Sequence, residues 1–187
     1  MAAKINRLYG MRCYEAGPMD RAPDGGVQWR QALTPKLQKM GITVLDPCNK
    51  PINVGTEKIE DRQYRQKLKA DGNYDQLAKE IKLLRIIDLR MVDNSDFLIV
   101  NLDMSLSPCG TMEEIFWANR MKMPVLIYNP QGKQNMPDWL FGVFPHKHFF
   151  NTWDQLLEYL RHVNEDEHVE HMKRWVFFDY KTLLPKV

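Results

Sequence analysis

Asp96-Phe-Leu-Ile-Val-Asn101, continued through Asp103-Met-Ser-Leu-Ser-Pro-Cys-Gly-Thr-Met-Glu-Glu114 to Val125-Leu-Ile-Tyr128, carries the strongest structural signal in the chain. The first run is short, apolar and bounded by polar residues, the pattern of a strand buried on both faces. A helix is expected from near Thr111, and a second buried strand follows at Val125. Strand, loop, helix and strand in this order belong to a parallel α/β sheet, in which ligands sit at the carboxyl ends of the strands. The loop with Asp103, Ser105, Ser107 and Gly110 leaves such an end, and Glu113 and Glu114 fall in the first helical turn beyond it.

Upstream, Met11–Ala16 reads as a strand stopped by Gly17-Pro18, followed by a loop through Gly26 and a helix from Val27 to Met40 closed by Gly41. Ile42–Leu45 is the next strand, ended by Asp46-Pro47. Loop is expected from Asn49 to Thr56, then a charged helical segment over Glu57–Ala70, a break at Asp71-Gly-Asn73 and a longer helix over Tyr74–Val92. In that helix Leu77, Ile81, Leu84, Ile87 and Met91 recur at spacings of three and four, which predicts a face packed on the sheet. Downstream come a loop over Asn129–Pro137, a helical turn within Asp138–Phe144 and a last strand at His148–Phe150. An amphipathic helix over Thr152–Val163, a final helix near His168–Trp175 and an irregular tail complete the chain. The alternation predicts one domain over residues 1–187, a three-layer α/β sandwich with a parallel sheet of about five strands, a charged helical insertion near 54–73 and a helical tail at 164–187.

The chain's 187 residues, 44% hydrophobic and 27% charged, suffice for one sizeable core. A net charge of +2 and the lack of a basic stripe with aromatics argue against a nucleic-acid polymer as partner. No apolar run approaches the roughly 20 residues of a membrane span, and the first residues lack the apolar core of a secretion signal, so no membrane partner and a cytoplasmic location are expected. Cys13, Cys48 and Cys109 are too scattered for a zinc site or a disulfide framework, and Cys109 reads as a small residue in a tight turn. His146-Lys-His148 and His168-x-x-His171 lie far along the chain from the acidic residues and read as solvated surface. No metal and no cofactor are expected.

The helical period separates the two glutamates. Glu114 shares a stripe with Ala118 and Met121, whereas Glu113 shares one with Trp117 and Arg120. Glu114 is therefore the carboxylate expected to face the cleft. Taken alone, an acidic pair in a first turn is explained by the helix dipole, worth about 0.3–1 kcal/mol. Ser105 and Ser107 precede a helix N-terminus suited to a phosphate, and Arg21 and Arg30 follow the Gly-Pro loop within reach of the same crevice.

Tyr14-Glu-Ala-Gly-Pro18, Asp88 ahead of the central strand, Asn101-Leu-Asp103 at its end and Gly110-Thr-Met-Glu-Glu114 together resemble the nucleoside 2-deoxyribosyltransferase family. That family shows an aromatic-x-Ala-Gly-Pro start, an Asp leading into the central strand, an Asn-Leu-Asp-like strand end and Gly-Thr-x-x-Glu opening a helix. The ordered set spans roughly Arg12 to Tyr159; the last element alone is weak. The resemblance implies a flavodoxin-like fold and cleavage of the N-glycosidic bond of deoxynucleosides. It assigns Glu114 as nucleophile, Asp88 as the acid that protonates the leaving base and Tyr14 as the residue that orients Glu114. Substrate contacts are implied from Gly17, Pro18, Met19 and Arg21 in the first loop, from Asn101 and Asp103 at the strand end, and from Ser107, Gly110 and Thr111 at the helix start. An oxocarbenium-like centre wants a carboxylate on one side and a proton donor at the leaving nitrogen. Glu114 is then expected to stay ionised at its helix N-terminus, and Asp88 to have a raised pKa.

The implied partners are a deoxynucleoside, or a deoxynucleotide, and a free base, with a homo-oligomer as the family's habit. Transfer of the deoxyribosyl group to a second base is the leading expectation; a nucleoside 5′-monophosphate N-glycosidase and a non-catalytic nucleotide-binding module are the alternatives. Lysine-decarboxylase-like nucleotide hydrolases use a similar helix after a Pro-Gly-Gly loop, which Ser107-Pro-Cys-Gly110 lacks. Two departures from the family pattern bear on pocket shape: Ile115-Phe-Trp-Ala118 follows Glu114 where a small residue is common, and the segment from Val54 to Asn73 is long and charged.

Overall fold

Apolar runs of two to five residues supply the sheet: β1 (Arg12–Ala16), β2 (Thr43–Leu45), β3 (Phe97–Asn101), β4 (Val125–Tyr128) and β5 (Phe149–Phe150). The computed structural model describes residues 6–50, 52, 55, 57–165 and 172–177. All four pairings are parallel, in the order β2-β1-β3-β4-β5. This is the flavodoxin-like arrangement, in which the chain reverses direction between β1 and β3 and opens a crevice at their carboxyl ends. Tyr14 pairs with Leu98 and Ala16 with Val100 in register.

Strand alternation divides the core in two. Tyr14, Ala16, Leu98, Val100, Val125 and Ile127 face one cluster, which α3 (Tyr74–Asp93), α4 (Cys109–Arg120) and α5 (Asp138–Phe141) complete. Cys13, Phe97, Ile99 and Leu126 face the other, with α1 (Val27–Lys39) and α6 (Trp153–Asn164). β3 has four consecutive buried residues, as expected of a central strand covered on both sides. Thr152 caps α6 by accepting from the Gln155 N–H at 3.2 Å.

Three expectations need revision. The apolar face of α3 meets the sheet layer only at its C-terminal end, where Met91 and Val92 are buried and Ile87 packs against the core. Leu77 and Leu84 are half-buried and Ile81 is 41% exposed, because α2 (Ile59–Ala70) packs beside α3 and holds this half off the sheet. Secondly, the described part of the predicted final helix holds a 3-10 turn at Met172–Arg174, after which Trp175 is irregular; the rest of that prediction, His168 and His171 included, lies in residues 166–171, outside the described residues. Thirdly, Arg30 does not reach into the crevice as a free cation. It is 1% exposed and donates to the carbonyls of Glu15 (3.0 Å), Gly17 (3.3 Å) and Gly26 (2.7 Å). Its guanidinium also lies 3.5 Å from Asp46 and over the Trp29 ring at 4.5 Å.

Arg30 therefore ties α1 to the end of β1. Replacing it by methionine keeps the aliphatic stem and leaves three buried carbonyls without their donor. Arg30→Met is expected to cost about 2–4 kcal/mol of stability, read as a lower urea midpoint at unchanged slope. A loss under about 0.5 kcal/mol would mean that water replaces the guanidinium.

Candidate functional site

The crevice at the ends of β1 and β3 is a cavity of about 640 Å³. Its walls are the loop after β1 at Gly17–Arg21, one side of α2, the middle of α3, and the segment from Leu106 into the first turn of α4. The β1 loop is held from two directions. Arg30 holds it from α1, and from α2 Arg62 donates to the carbonyls of Met19 (2.9 Å) and Ala22 (3.0 Å). Gly17 is required by packing, since a Cβ there would stand 2.9 Å from Trp29 Cζ2.

Glu114 lines this cavity and is joined to the sheet. The fully buried Tyr14 donates its Oη–H to Glu114 Oε1 at 2.7 Å. Burial pushes the Glu114 carboxyl up to about 8; the Tyr14 hydrogen bond opposes the shift and the nearby Asp88 adds to it. The expectation that the helix N-terminus keeps Glu114 ionised is therefore reversed. The helix begins at Cys109, two residues earlier than expected, so Glu113 and Glu114 lie beyond its first turn, where the dipole effect has faded and desolvation prevails. Tyr14 itself is raised above its ordinary range by burial and then by Glu114, so it remains a phenol and a donor.

Glu113, one residue earlier, turns to the rim and is gripped by Arg85 of α3, with Nε 2.7 Å from Oε2. That pairing holds its carboxyl below the ordinary range. The helical period thus separates the two side chains as far as the helix runs: Ala118 is buried, whereas Met121, the C-cap just past Arg120, is 40% exposed.

Asp88 is buried in α3 and opens on the same cavity. Its Oδ1 lies 2.8 Å from Lys50 Nζ, and the Lys50 side chain is 1% exposed. Lys50 also stands 3.1 Å from Glu57 and donates to the Gly55 carbonyl at 2.7 Å. Burial, with Glu57 adding and Lys50 opposing, lifts Asp88 to about 6. Lys50 and Glu57 escaped the sequence reading. The signal available was the position of Lys50 just beyond the carboxyl end of β2, the same rule that locates the other strand-end residues.

The remaining residues divide. Gly17, Pro18, Met19 and Arg21 line the cavity from the first loop, and Ser107, Gly110 and Thr111 from the start of α4. Ser107 adopts a left-handed conformation (φ 52°) at the turn into α4, and Gly110 borders open space. Asn101 and Asp103 are not among the lining residues. Asp103 is occupied in its own loop: it accepts from the Ser105 N–H (2.9 Å), from the Ser105 hydroxyl (2.6 Å) and from Gln131 Nε2 (2.7 Å). These bonds hold its carboxyl below the ordinary range. Cys109 is the first residue of α4 and exposed, rather than part of the preceding turn.

Among the described residues, no group of three His, Cys, Asp or Glu side chains is placed to hold a metal ion. His148 is not solvated surface: it is buried, with Nε2 3.1 Å from the Tyr159 hydroxyl. His146 lies 3.2 Å from Lys133 Nζ. No described helix is long and apolar enough to cross a membrane.

No family model and no curated protein matches the chain. Solved structures do. A 2-deoxyribosyltransferase from the psychrotolerant bacterium Bacillus psychrosaccharolyticus superposes with a TM-score of 0.50 at 15% identity, over 89% of this chain and 97% of that one. A CMP N-glycosidase from Clostridium botulinum superposes with a TM-score of 0.45 at 18% identity, over 80% of this chain and 98% of that one. The first likeness, running over nearly the whole length of both chains, shows that this protein has the fold of that 2-deoxyribosyltransferase.

Proposed function

We propose that this protein cleaves the N-glycosidic bond of a 2-deoxynucleoside unit and passes the deoxyribosyl group to a second base through a glycosyl ester on Glu114. The observation that carries the reading is the 2.7 Å bond from Tyr14 to Glu114, made in a cavity that Asp88 also lines. The fold shared with a 2-deoxyribosyltransferase supports it.

The chemistry needs one proton for two carboxyls. The glycosidic C–N bond breaks, its electron pair goes to the base nitrogen, and that nitrogen takes the proton of Asp88. The Glu114 carboxylate forms the new bond to the anomeric carbon. The incoming base then attacks that carbon, returns its proton to Asp88 and releases Glu114; water in place of the base gives hydrolysis. In the structure the order of the two groups is opposite, with Glu114 near 8 and Asp88 near 6. The reactive form is therefore the other tautomer of the singly protonated pair. Tyr14, by donating to Glu114, is the positioning residue that favours the carboxylate there.

Activity should follow a bell, highest between about pH 6 and 8. Below this window both carboxyls are protonated and no nucleophile exists; above it both are ionised and no acid remains. The limbs report the pair rather than either residue. A profile that rises monotonically through pH 9 would overturn the shared-proton scheme.

Asp88→Asn should slow base release by about 10²–10⁴-fold, and most for poor leaving bases. Glu114→Ala should abolish release while Glu113→Ala retains it. A 2-fluoro-arabinosyl nucleoside should leave a sugar on Glu114, visible by intact-protein mass spectrometry and discharged by added base. Release without any adduct at early times would make Glu114 a base or an electrostatic stabiliser instead.

The raised carboxyl also predicts a stability change. Folded Glu114 holds its proton up to about pH 8, whereas the unfolded side chain releases it near 4.5, so the wild type loses stability as pH rises between those values. Glu114→Gln is free of that loss. Its melting temperature should exceed that of the wild type by roughly 5–10 °C at pH 8 and converge with it near pH 4. Equal melting temperatures at pH 8 would show that Glu114 ionises without cost.

A further inference from the structure

Arg65 is the buried cation of the cavity wall that no group among the described residues answers. It lies on α2, is 8% exposed and lines the cavity. Among the described residues it has no hydrogen bond and no ion pair. The other buried or half-buried cations around it are engaged, Lys50 with Asp88 and Glu57, Arg85 with Glu113, and Arg62 with the carbonyls of Met19 and Ala22, while Arg21 lines the cavity from its exposed rim. Lys69, four residues on, stands 3.9 Å from Asp20 at the exposed rim.

A guanidinium taken out of water without a counter-charge is expensive to hold, and proteins keep one where an anion arrives to meet it. The cavity's carboxyls do not provide that charge. Glu57 and Asp88 share Lys50, Glu113 is held by Arg85, and Glu114 keeps its proton at neutral pH. Arg65 follows Arg62 by three residues and precedes Lys69 by four, so the three share one side of α2. Arg62 anchors the helix to the β1 loop, Arg65 faces the cavity and Lys69 stands at its mouth. The planar fork of an arginine matches the paired oxygens of a phosphate.

We propose that Arg65 binds the 5′-phosphate of the substrate, so that the protein acts on a 2-deoxynucleoside 5′-monophosphate in preference to the free nucleoside. This rests on the glycosidic reading above and adds to it the class of substrate. It also gives α2 a purpose: the charged segment between β2 and α3 brings the anion site to the cavity.

The test uses the full chain with the common 2′-deoxynucleosides, their 5′-monophosphates and inorganic phosphate as probes. Binding is read by calorimetry on Glu114→Gln, and cleavage by base release from the wild type. At least one monophosphate is expected to bind about 10²-fold more tightly than its nucleoside. Adding Arg65→Met should reduce that ratio to within about threefold, and Arg65→Lys should restore part of it. The proposal is overturned if nucleoside and monophosphate bind alike, if Arg65→Met weakens both by the same factor, or if inorganic phosphate alone binds as tightly as the nucleotides. Should Arg65→Met fail to fold, the preference of the unaltered site and its size in Arg65→Lys decide. Monophosphate binding through Arg65 without base release would leave the anion site standing and remove the glycosidic reading. Base release that ignores the phosphate would do the reverse.

Discussion

The partial burial of Glu114 at the back of the cavity governs the chemistry of the crevice. A carboxyl in the second turn of α4 would ordinarily be ionised at neutral pH. Here its neighbours are the sheet, the phenol of Tyr14 and the side of α3, and its proton is held up to about pH 8. Asp88 has a buried ammonium 2.8 Å away and releases its proton earlier. The two acids thus differ because one has a cation beside it and the other has only a hydroxyl. Lys50 is itself too deeply buried to stand alone, and Glu57 joins Asp88 in balancing it. Residues from the ends of β1 and β2 and from α2, α3 and α4 are therefore tied into one arrangement by the need to compensate buried charge.

The parts of this arrangement that are local were legible in the sequence. Asp96–Asn101 and Val125–Tyr128 are continuous apolar runs, and such runs occur where a strand has helices on both faces. The spacing of Glu114 from Ala118 gave the correct inward face, and failed at Met121 because α4 ends at Arg120 and Met121 is its exposed C-cap, where the helical period no longer holds. Periodicity names a face and does not say what lies against it: Leu77, Ile81 and Leu84 follow the same rule as Met91, yet they border a cavity while Met91 meets the core. Glu57 and Arg65 carry no local mark, and Lys50 only its place just beyond the end of β2. Each is an ordinary charged residue in a polar stretch, and its burial comes from segments distant in the chain. Arg30 is the same case with the opposite outcome, since the carbonyls that satisfy it are created by the turn at Gly17.

α2 runs against the usual amphipathic pattern. A surface helix commonly turns mostly apolar residues inward; α2 buries Leu68 but turns Arg62 and Arg65 inward beside it and leaves Tyr64 47% exposed. The reason lies in what it covers. On one side are the carbonyls of Met19 and Ala22, which need donors, and on the other is an open cavity, across which the helix meets no packed neighbour. A polar helix is the economical wall for such a place, and it rests on α3, whose own N-terminal half is thereby kept from the sheet.

The loop after β1 has one more property that follows from its two arginines. Arg30 and Arg62 reach it from different helices and between them hold the carbonyls of Glu15, Gly17, Met19, Ala22 and Gly26. A free loop of this kind would surrender about 1–2 kcal/mol of backbone entropy for every residue that a ligand had to immobilise. Here that ordering is completed during folding. A molecule entering the cavity meets a surface already in place on this side, and the favourable contacts it makes there pass into affinity undiminished by the cost of stiffening the chain.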